Sequence, residues 1–428
     1  MSGIERIEEA QRGFPRWVPV VPPQVLRAFW TLSDQAVVSI GSFALSVLLA
    51  RRFVPADYGT YALLVGGMLM LQMALASLVF HPLSIFRSMA SEERRSRYTW
   101  TSLVIAGLLC LPLAAILAAG LLSTGRTDLI GPALCYFLSW QVHEAARRNL
   151  LTDFRFWDAL PGDLIGYPGQ AIVALGLFGL GDLTLRAVLI WGSATFLIGS
   201  AAHFARLELK RGSISELLGD ARAFWATGRW SLLSNALSFV RLMVSPWTLA
   251  FLHGPAATGM LQAASNLVAV TNPIVTGLCN VVPQTAARER HHGIGRALRA
   301  SASYGLVGLP LIALTYGVAF AFPEQLLQLV YGGNSPYAAF SSGVRILVVG
   351  AFLTYTTELI CAFFHGIDQP RTAFLTNAAG AAAAGMLAFP MIWLWGATGA
   401  CWVVAATSAV RLITACLLLS RMMAHDAR

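Results

Sequence analysis

Ser231, Ser234, Ser238, Arg241 and Ser245 recur at alternating spacings of three and four residues, with Asn235 beside them. On a helix that spacing gathers them onto one face. From Ser231 to Ser245 the stripe advances fourteen positions, ~21 Å of helix at about 1.5 Å per residue. A guanidinium among hydroxyls and an amide suits an anion, because its planar donors match phosphate or carboxylate oxygens two at a time. Arg345 and Arg411 are further arginines in strongly apolar surroundings. Asp34, Glu144 and Glu358 carry the opposite chemistry: each can take up a coupling H+ or Na+, or neutralise an arginine. Substrate binding is thus expected of Arg241, Arg345, Arg411, Asn235, Ser234 and Ser238, and ion coupling of Asp34, Glu358 and Glu144. Plainer roles compete. Hydroxyls bond within their own helices, Arg411 has the reach to snorkel toward the cytoplasmic interface, and Arg345 sits near a span's outer end, where a structural role suffices. Arg345 and Glu358 are thirteen residues apart, on opposite sides of a helix, so they cannot pair within it.

Enzyme chemistry is not legible. His143-Glu144 is not followed by a second histidine at zinc-binding spacing, and neither a GxSxG nor a P-loop occurs. His291-His292 sits in an arginine-rich loop and reads as a solvated pair. Cys110, Cys135, Cys279, Cys361, Cys401 and Cys416 all fall in apolar stretches without CxxC spacing, as small buried residues do. Neither a metal nor a cofactor is expected beyond a coupling ion.

The elements that position these groups follow from composition. Of 428 residues, 56% are hydrophobic and only 12% charged, and mean hydropathy is +0.64. A soluble domain carries about 25% charged residues, so the chain reads as an all-α polytopic membrane protein. Spans need about 20 apolar residues. Twelve segments qualify: 28–50, 58–85, 99–122, 129–146, 163–180, 184–205, 225–252, 257–284, 299–321, 340–364, 372–394 and 396–420. Two pairs run together and must turn as hairpins, the first at Gly179, Gly181 and Asp182, the second at Gly396 and Gly399. Of 29 arginines and one lysine, 23 fall on one side of this arrangement, 4 on the other and three inside spans. That bias puts both termini in the cytoplasm. It also makes the net charge of +9 a record of topology, which removes nucleic acid as a partner. The first 24 residues are polar and proline-punctuated, so no cleavable signal is expected; residues 14–23 fit the membrane interface.

Offsetting the chain by 200 residues aligns residues 30–59 with 230–259 at eight identities in thirty, against about 2–3 by chance. The turn Pro55-Ala56-x-x-Gly59 recurs as Pro255-Ala256-x-x-Gly259. Two parallel six-helix halves imply a transporter architecture with its path between them. The expected divisions are an N-terminal segment 1–27, an N-lobe 28–205, a basic linker 206–224, a C-lobe 225–420 and a tail 421–428. The linker reads as an amphipathic helix on the cytoplasmic surface. The outward loop 322–339 reads as a lid or surface hairpin, too short for the outer domain of a membrane-bound glycosyl polymerase.

Short motifs add a resemblance. Leu49-Ala50-Arg51-Arg52-Phe53-Val54-Pro55-Ala56-Asp57-Tyr58-Gly59-Thr60-Tyr61 is similar to the first-loop signature of polysaccharide transporters. These are the Wzx-like oligosaccharide flippases of the multidrug/oligosaccharidyl-lipid/polysaccharide (MOP) exporter superfamily. Leu329-Val330-Tyr331-Gly332 with Gly343-Val344-Arg345-Ile346-Leu347 resembles the approach to the family's tenth helix. Ala362-Phe363-Phe364-His365-Gly366 with Gln369-Pro370-Arg371, and Trp395-Gly396-Ala397-Thr398-Gly399-Ala400, resemble the turns before the eleventh and twelfth. The resemblance spans about residues 27–420. It implies a two-lobed, twelve-helix transporter in the bacterial inner membrane that moves undecaprenyl-diphosphate-linked oligosaccharide outward by alternating access. Its partners would be that lipid-linked cargo, the bilayer, and polymerase or export machinery for an exopolysaccharide or O-antigen. Arg241 best matches the family's cavity arginines, Arg345 sits at a family-like arginine position, and Glu358 matches no family motif. Asp34 resembles the first-helix acid of some drug/proton antiporters in the superfamily, which keeps a cation-coupled multidrug exporter open. A non-transporting scaffold for polysaccharide synthesis is the third expectation.

Overall fold

In lipid every backbone N–H needs a partner inside its own segment, which leaves helix as the economical solution for so apolar a chain. A computed structural model describes residues 23–88 and 90–426, with side chains for all of these except 23–29, 31, 32, 88, 234, 425 and 426. The expected interfacial segment lies outside this range except for Pro23, the first residue of α1. The helices are α1 Pro23–Arg52; α2 Pro55–Leu75, continuing through a π-helical stretch Ala76–Phe80 into α3 His81–Ser88; α4 Glu92–Ser123; and α5 Ile130–Thr152. There follow α6 Phe156–Gly166, α7 Pro168–Leu180, α8 Leu185–Phe204, α9 Ile214–His253, α10 Pro255–Ala269 and α11 Asn272–Glu289. The chain ends with α12 Ile294–Ala321, α13 Pro323–Tyr331, α14 Ser341–Gly366 and α15 Pro370–Asp426.

Among the described residues nine helices, counting α6 with α7, are long and apolar enough to cross a membrane, and ten if α10 and α11, bent by 54°, form one span. α5 falls outside that set because Gln141, His143, Glu144, Arg147 and Arg148 dilute its C-terminal half. Large side chains such as Leu111, Ile172, Phe251 and Val307 are exposed, a surface suited to lipid and costly in water. This is a multi-pass membrane protein.

The two expected hairpins have distinct turns. α7 ends at Gly181, whose φ of 78° caps the helix in the left-handed region. α15 spans 57 residues and breaks at Gly396, at φ 55° and ψ −131°. Met391 and Gly399 would stand ~12 Å apart in a continuous helix. Instead a side chain at Gly399 would strike the Met391 carbonyl, so the chain reverses there.

Contacts divide the chain into two compact units, the first comprising residues up to Leu48 with Gly67–Asn235, the second Leu49–Gly66 with Ala236–Arg428. In the first, Leu75, Val79, Phe80, Leu83, Ala145 and Phe224 share a core, with Phe86 stacked on Phe224 at 5.7 Å. In the second, Phe363 and Phe364 pack among Ala286, Ala297, Ala373 and Ala415, whose small side chains let helices approach closely. The repeated turn also meets its counterpart inside the second unit. A side chain at Gly59 would strike the Pro255 carbonyl, and one at Gly259 would lie 2.6 Å from the Pro55 carbonyl. The two Pro-Ala-x-x-Gly turns therefore cross reciprocally, which is why both copies end in glycine.

Two expectations about connections change. Residues 207–213 are not helical. α9 instead begins at a capping box, in which the Ser213 amide donates to Glu216 Oε2 at 2.9 Å and the Glu216 amide donates to Ser213 Oγ at 3.3 Å. The Ser213 amide and hydroxyl, both donating to it, hold the Glu216 carboxyl below its ordinary range. The 322–339 connection is tied down: Arg51 Nη2 donates to Leu329 O at 2.7 Å, and Tyr331 donates to Ala263 O at 3.0 Å.

Candidate functional site

In the second unit three helices bring charge together. Arg241 comes from α9, Glu358 from α14, Asn377 from the first half of α15 and Arg411 from its second half. Arg411 Nη2 donates to Glu358 Oε1 and to Asn377 Oδ1, both at 2.8 Å. At 1% exposure Arg411 does not snorkel; its guanidinium turns inward because a carboxylate and an amide meet it there. A methyl at Gly380 would come 2.5 Å from Arg411 Cγ and 3.2 Å from Arg241 Cδ, so both stems pass this one position. A larger residue would displace them.

Donors exceed acceptors at this place. Arg411 Nε, Arg411 Nη1 and Arg241 Nε are buried without a hydrogen-bond partner among the described residues. Each unsatisfied buried donor costs about 1–3 kcal/mol, and more when charged. Two guanidiniums face one carboxylate, leaving one excess positive charge. A multivalent oxyanion supplies both the missing acceptors and the missing charge.

The other expected binding residues are dispersed. Asn235 Nδ2 donates to Ser77 Oγ at 3.0 Å and to Ser231 Oγ at 3.3 Å, within the first unit. Ser238 is half-buried, and the side chain of Ser234 lies outside those described. Arg345 is exposed and its Nε donates to Phe320 O at 3.1 Å, near the end of α12. Thirteen residues of α14 separate it from Glu358, ~20 Å along the helix axis, so the structure does not bring it to the arginine pair.

Two of the expected coupling acids converge in the first unit, on a residue that positive-residue counting had assigned to the cytoplasmic rim. Arg147 is buried, with Nη2 on Asp34 Oδ2, Nη1 3.1 Å from Glu144 Oε1 and Nε 2.9 Å from Asp163 Oδ2. Arg148 Nε lies 2.9 Å from Glu144 Oε1, with its side chain 45% exposed. Three buried carboxylates thus surround one buried guanidinium, an excess of negative charge. Arg87, also counted with the rim, is buried against Asp153, Asn149 and Thr99. Arg147 and Asp163 were missed because basic residues just past an apolar run read as topology signals. The i,i+3 pair Glu144 and Arg147 was the available clue.

His143, Asp163 and His203 bring ligand-type atoms within 4.8 Å of one another, all buried. Their Nε2 and carboxylate atoms are already engaged, while Nδ1 of each histidine has no partner among the described residues. His143 Nε2 lies 3.2 Å from Asp163 Oδ1, His203 Nε2 lies 2.8 Å from Ala159 O, and Arg147 holds the other Asp163 oxygen. The group is a hydrogen-bonded brace between α5, α6 and α8 more than an open ligand set.

No family model and no curated protein matches the sequence. Solved structures do match. The lipid II flippase MurJ in an inward closed conformation aligns with a TM-score of 0.66 at 13% identity, over 92% of this chain and 87% of that one. An inward-facing multidrug-resistance MATE transporter of the MOP superfamily gives 0.67 at 12%, over 92% and 95%. A MOP-superfamily transporter from Pyrococcus furiosus, described as having a binding pocket of reversed polarity, gives 0.65 at 13%, over 94% and 96%. The fold is therefore that of MOP-superfamily transporters.

Proposed function

We propose that the chain is a flippase that carries lipid-linked oligosaccharide outward across a bacterial inner membrane by alternating access. On this reading it holds the cargo's diphosphate at Arg241 and Arg411. The observation that carries the reading is the set of idle buried donors on two neighbouring guanidiniums, of which Arg411 is paired with the carboxylate of Glu358. A diphosphate presents several acceptor oxygens and more than one negative charge, which suits that deficit. The net positive charge there disfavours a cationic drug as cargo. Coupling to H+ or Na+ falls to Asp34 and Glu144, where three carboxylates surround Arg147 and a further cation would offset the excess. The cargo would come from, and pass to, the enzymes that assemble and polymerise a surface polysaccharide.

Deletion in the native host tests this. Undecaprenyl-diphosphate oligosaccharide should accumulate on the cytoplasmic side while a surface polysaccharide is lost, and an Arg241→Gln protein expressed at wild-type level should not restore it. Unchanged polysaccharide without carrier build-up, in a strain lacking paralogues, refutes flipping. Restoration by the Arg241→Gln protein leaves a scaffold role in its place.

A further inference from the structure

We propose that Glu358 is a built-in counter-ion that holds Arg411 until an incoming oxyanion takes its place, so the arginine pair loads cargo by exchanging a carboxylate for a phosphate. The inference rests on the reading of that pair as the diphosphate site.

The two partners of Arg411 differ in what they can do. Asn377 is neutral, and its Oδ1 bond to Nη2 orients the guanidinium without competing for charge. Glu358 contributes the only carboxylate that pairs with Arg411 among the described residues, through Oε1 alone. A single-oxygen contact at Nη2 leaves both neighbouring nitrogens, Nε and Nη1, without a partner among the described residues. A phosphate that took the place of Glu358 at Nη2 could grip that nitrogen and one of these two with two oxygens. The exchange therefore gains acceptors as well as charge.

Mobility is distributed to match. Arg411 is 1% exposed, and its stem is wedged where Gly380 leaves room. The Glu358 side chain is 35% exposed. The carboxylate is the accessible partner and has room to move away, while the buried guanidinium cannot follow it. When Glu358 departs, Asn377 keeps Arg411 aimed, and Arg241 Nε stands ready at the same position.

A resident carboxylate also answers a difficulty that any such carrier faces. A bare guanidinium buried in a membrane protein is strongly unfavourable without cargo. Two fixed counter-ions would erase the attraction for an anion. One counter-ion for two arginines neutralises the resting site in part, keeps it attractive, and competes for Arg411 so that cargo can leave. Glu358 thereby sets how tightly the anion is held.

The test uses purified full-length protein in detergent and inorganic pyrophosphate as the probe, titrated calorimetrically. Glu358→Gln keeps the shape and an acceptor oxygen but removes the charge. It should bind pyrophosphate about tenfold or more tightly than wild type, as expected for deleting a like charge beside the anion. Asn377→Ala should bind more weakly, and Arg241→Gln should lose binding. If Glu358→Gln elutes as a folded monomer and binds no tighter, the counter-ion role is overturned, while Arg241-dependent binding in wild type would still uphold the arginine site. If Glu358→Gln does not fold, Glu358→Asp, which retracts the carboxylate from Arg411, serves instead. Tighter binding there supports the exchange, and equal or weaker binding overturns it. Absence of Arg241-dependent pyrophosphate binding in wild type and variants alike removes both readings.

Discussion

Replacing Arg147 with methionine deletes the guanidinium that Asp34, Glu144 and Asp163 share, and nearly preserves its bulk. Arg147 is only 5% exposed, so water cannot substitute for it. Removing one partner of a buried ion pair costs about 3–5 kcal/mol. With three carboxylates stranded, the upper part of that range is expected, or roughly three powers of ten in the folded-to-unfolded ratio at about 1.4 kcal/mol per tenfold. Arg148 supplies the internal control. It is the next residue and has the same charge, but its side chain is 45% exposed on a single partner. Arg148→Met should therefore cost no more than about 1 kcal/mol. Heating both variants in detergent and following the monomer peak by size exclusion separates them. Adding Asp34→Asn to Arg147→Met should recover part of the loss, because one stranded charge is removed. An Arg147→Met protein as heat-resistant as wild type, or as Arg148→Met, would refute the buried-network account.

Three further outcomes follow from the geometry. Gly259→Val should destabilise the second unit by about 1–3 kcal/mol or more through overpacking against Pro55 O, read as a lowered melting midpoint. Gly380→Val should abolish pyrophosphate binding without changing any charge, because it displaces the stems of Arg241 and Arg411; unaltered binding would show that their placement is immaterial. Arg345→Ala should leave cargo translocation at the wild-type level, with about 1 kcal/mol of stability lost with the bond to Phe320 O, measurable by the same heating series.

The apolar segments, the turns at Gly181 and Gly396, and the duplicated Pro-Ala-x-x-Gly turn were legible in the sequence, because hydropathy, left-handed glycine and repetition are properties of short stretches of chain. The capping box Ser213-x-x-Glu216 was equally local, yet the surrounding Leu-Glu-Leu-Lys-Arg pattern suggested an earlier helix. The stripe on α9 shows where periodicity stops being informative. Its spacing groups Asn235 with Arg241, but Asn235 turns to Ser77 while Arg241 shares Gly380 with Arg411.

Sequence by itself determined that this protein crosses a membrane many times and that Arg241 needs a reason to be where it is. Only tertiary structure decided which charges are paired. Asp34 reaches Arg147 across 113 positions and Arg411 reaches Glu358 across 53. Such pairings depend on which helices pack together and on small residues such as Gly380 that let them. A charge's burial is likewise a property of its neighbours, so Arg147 and Arg148, adjacent and alike in sequence, come to stand in opposite environments.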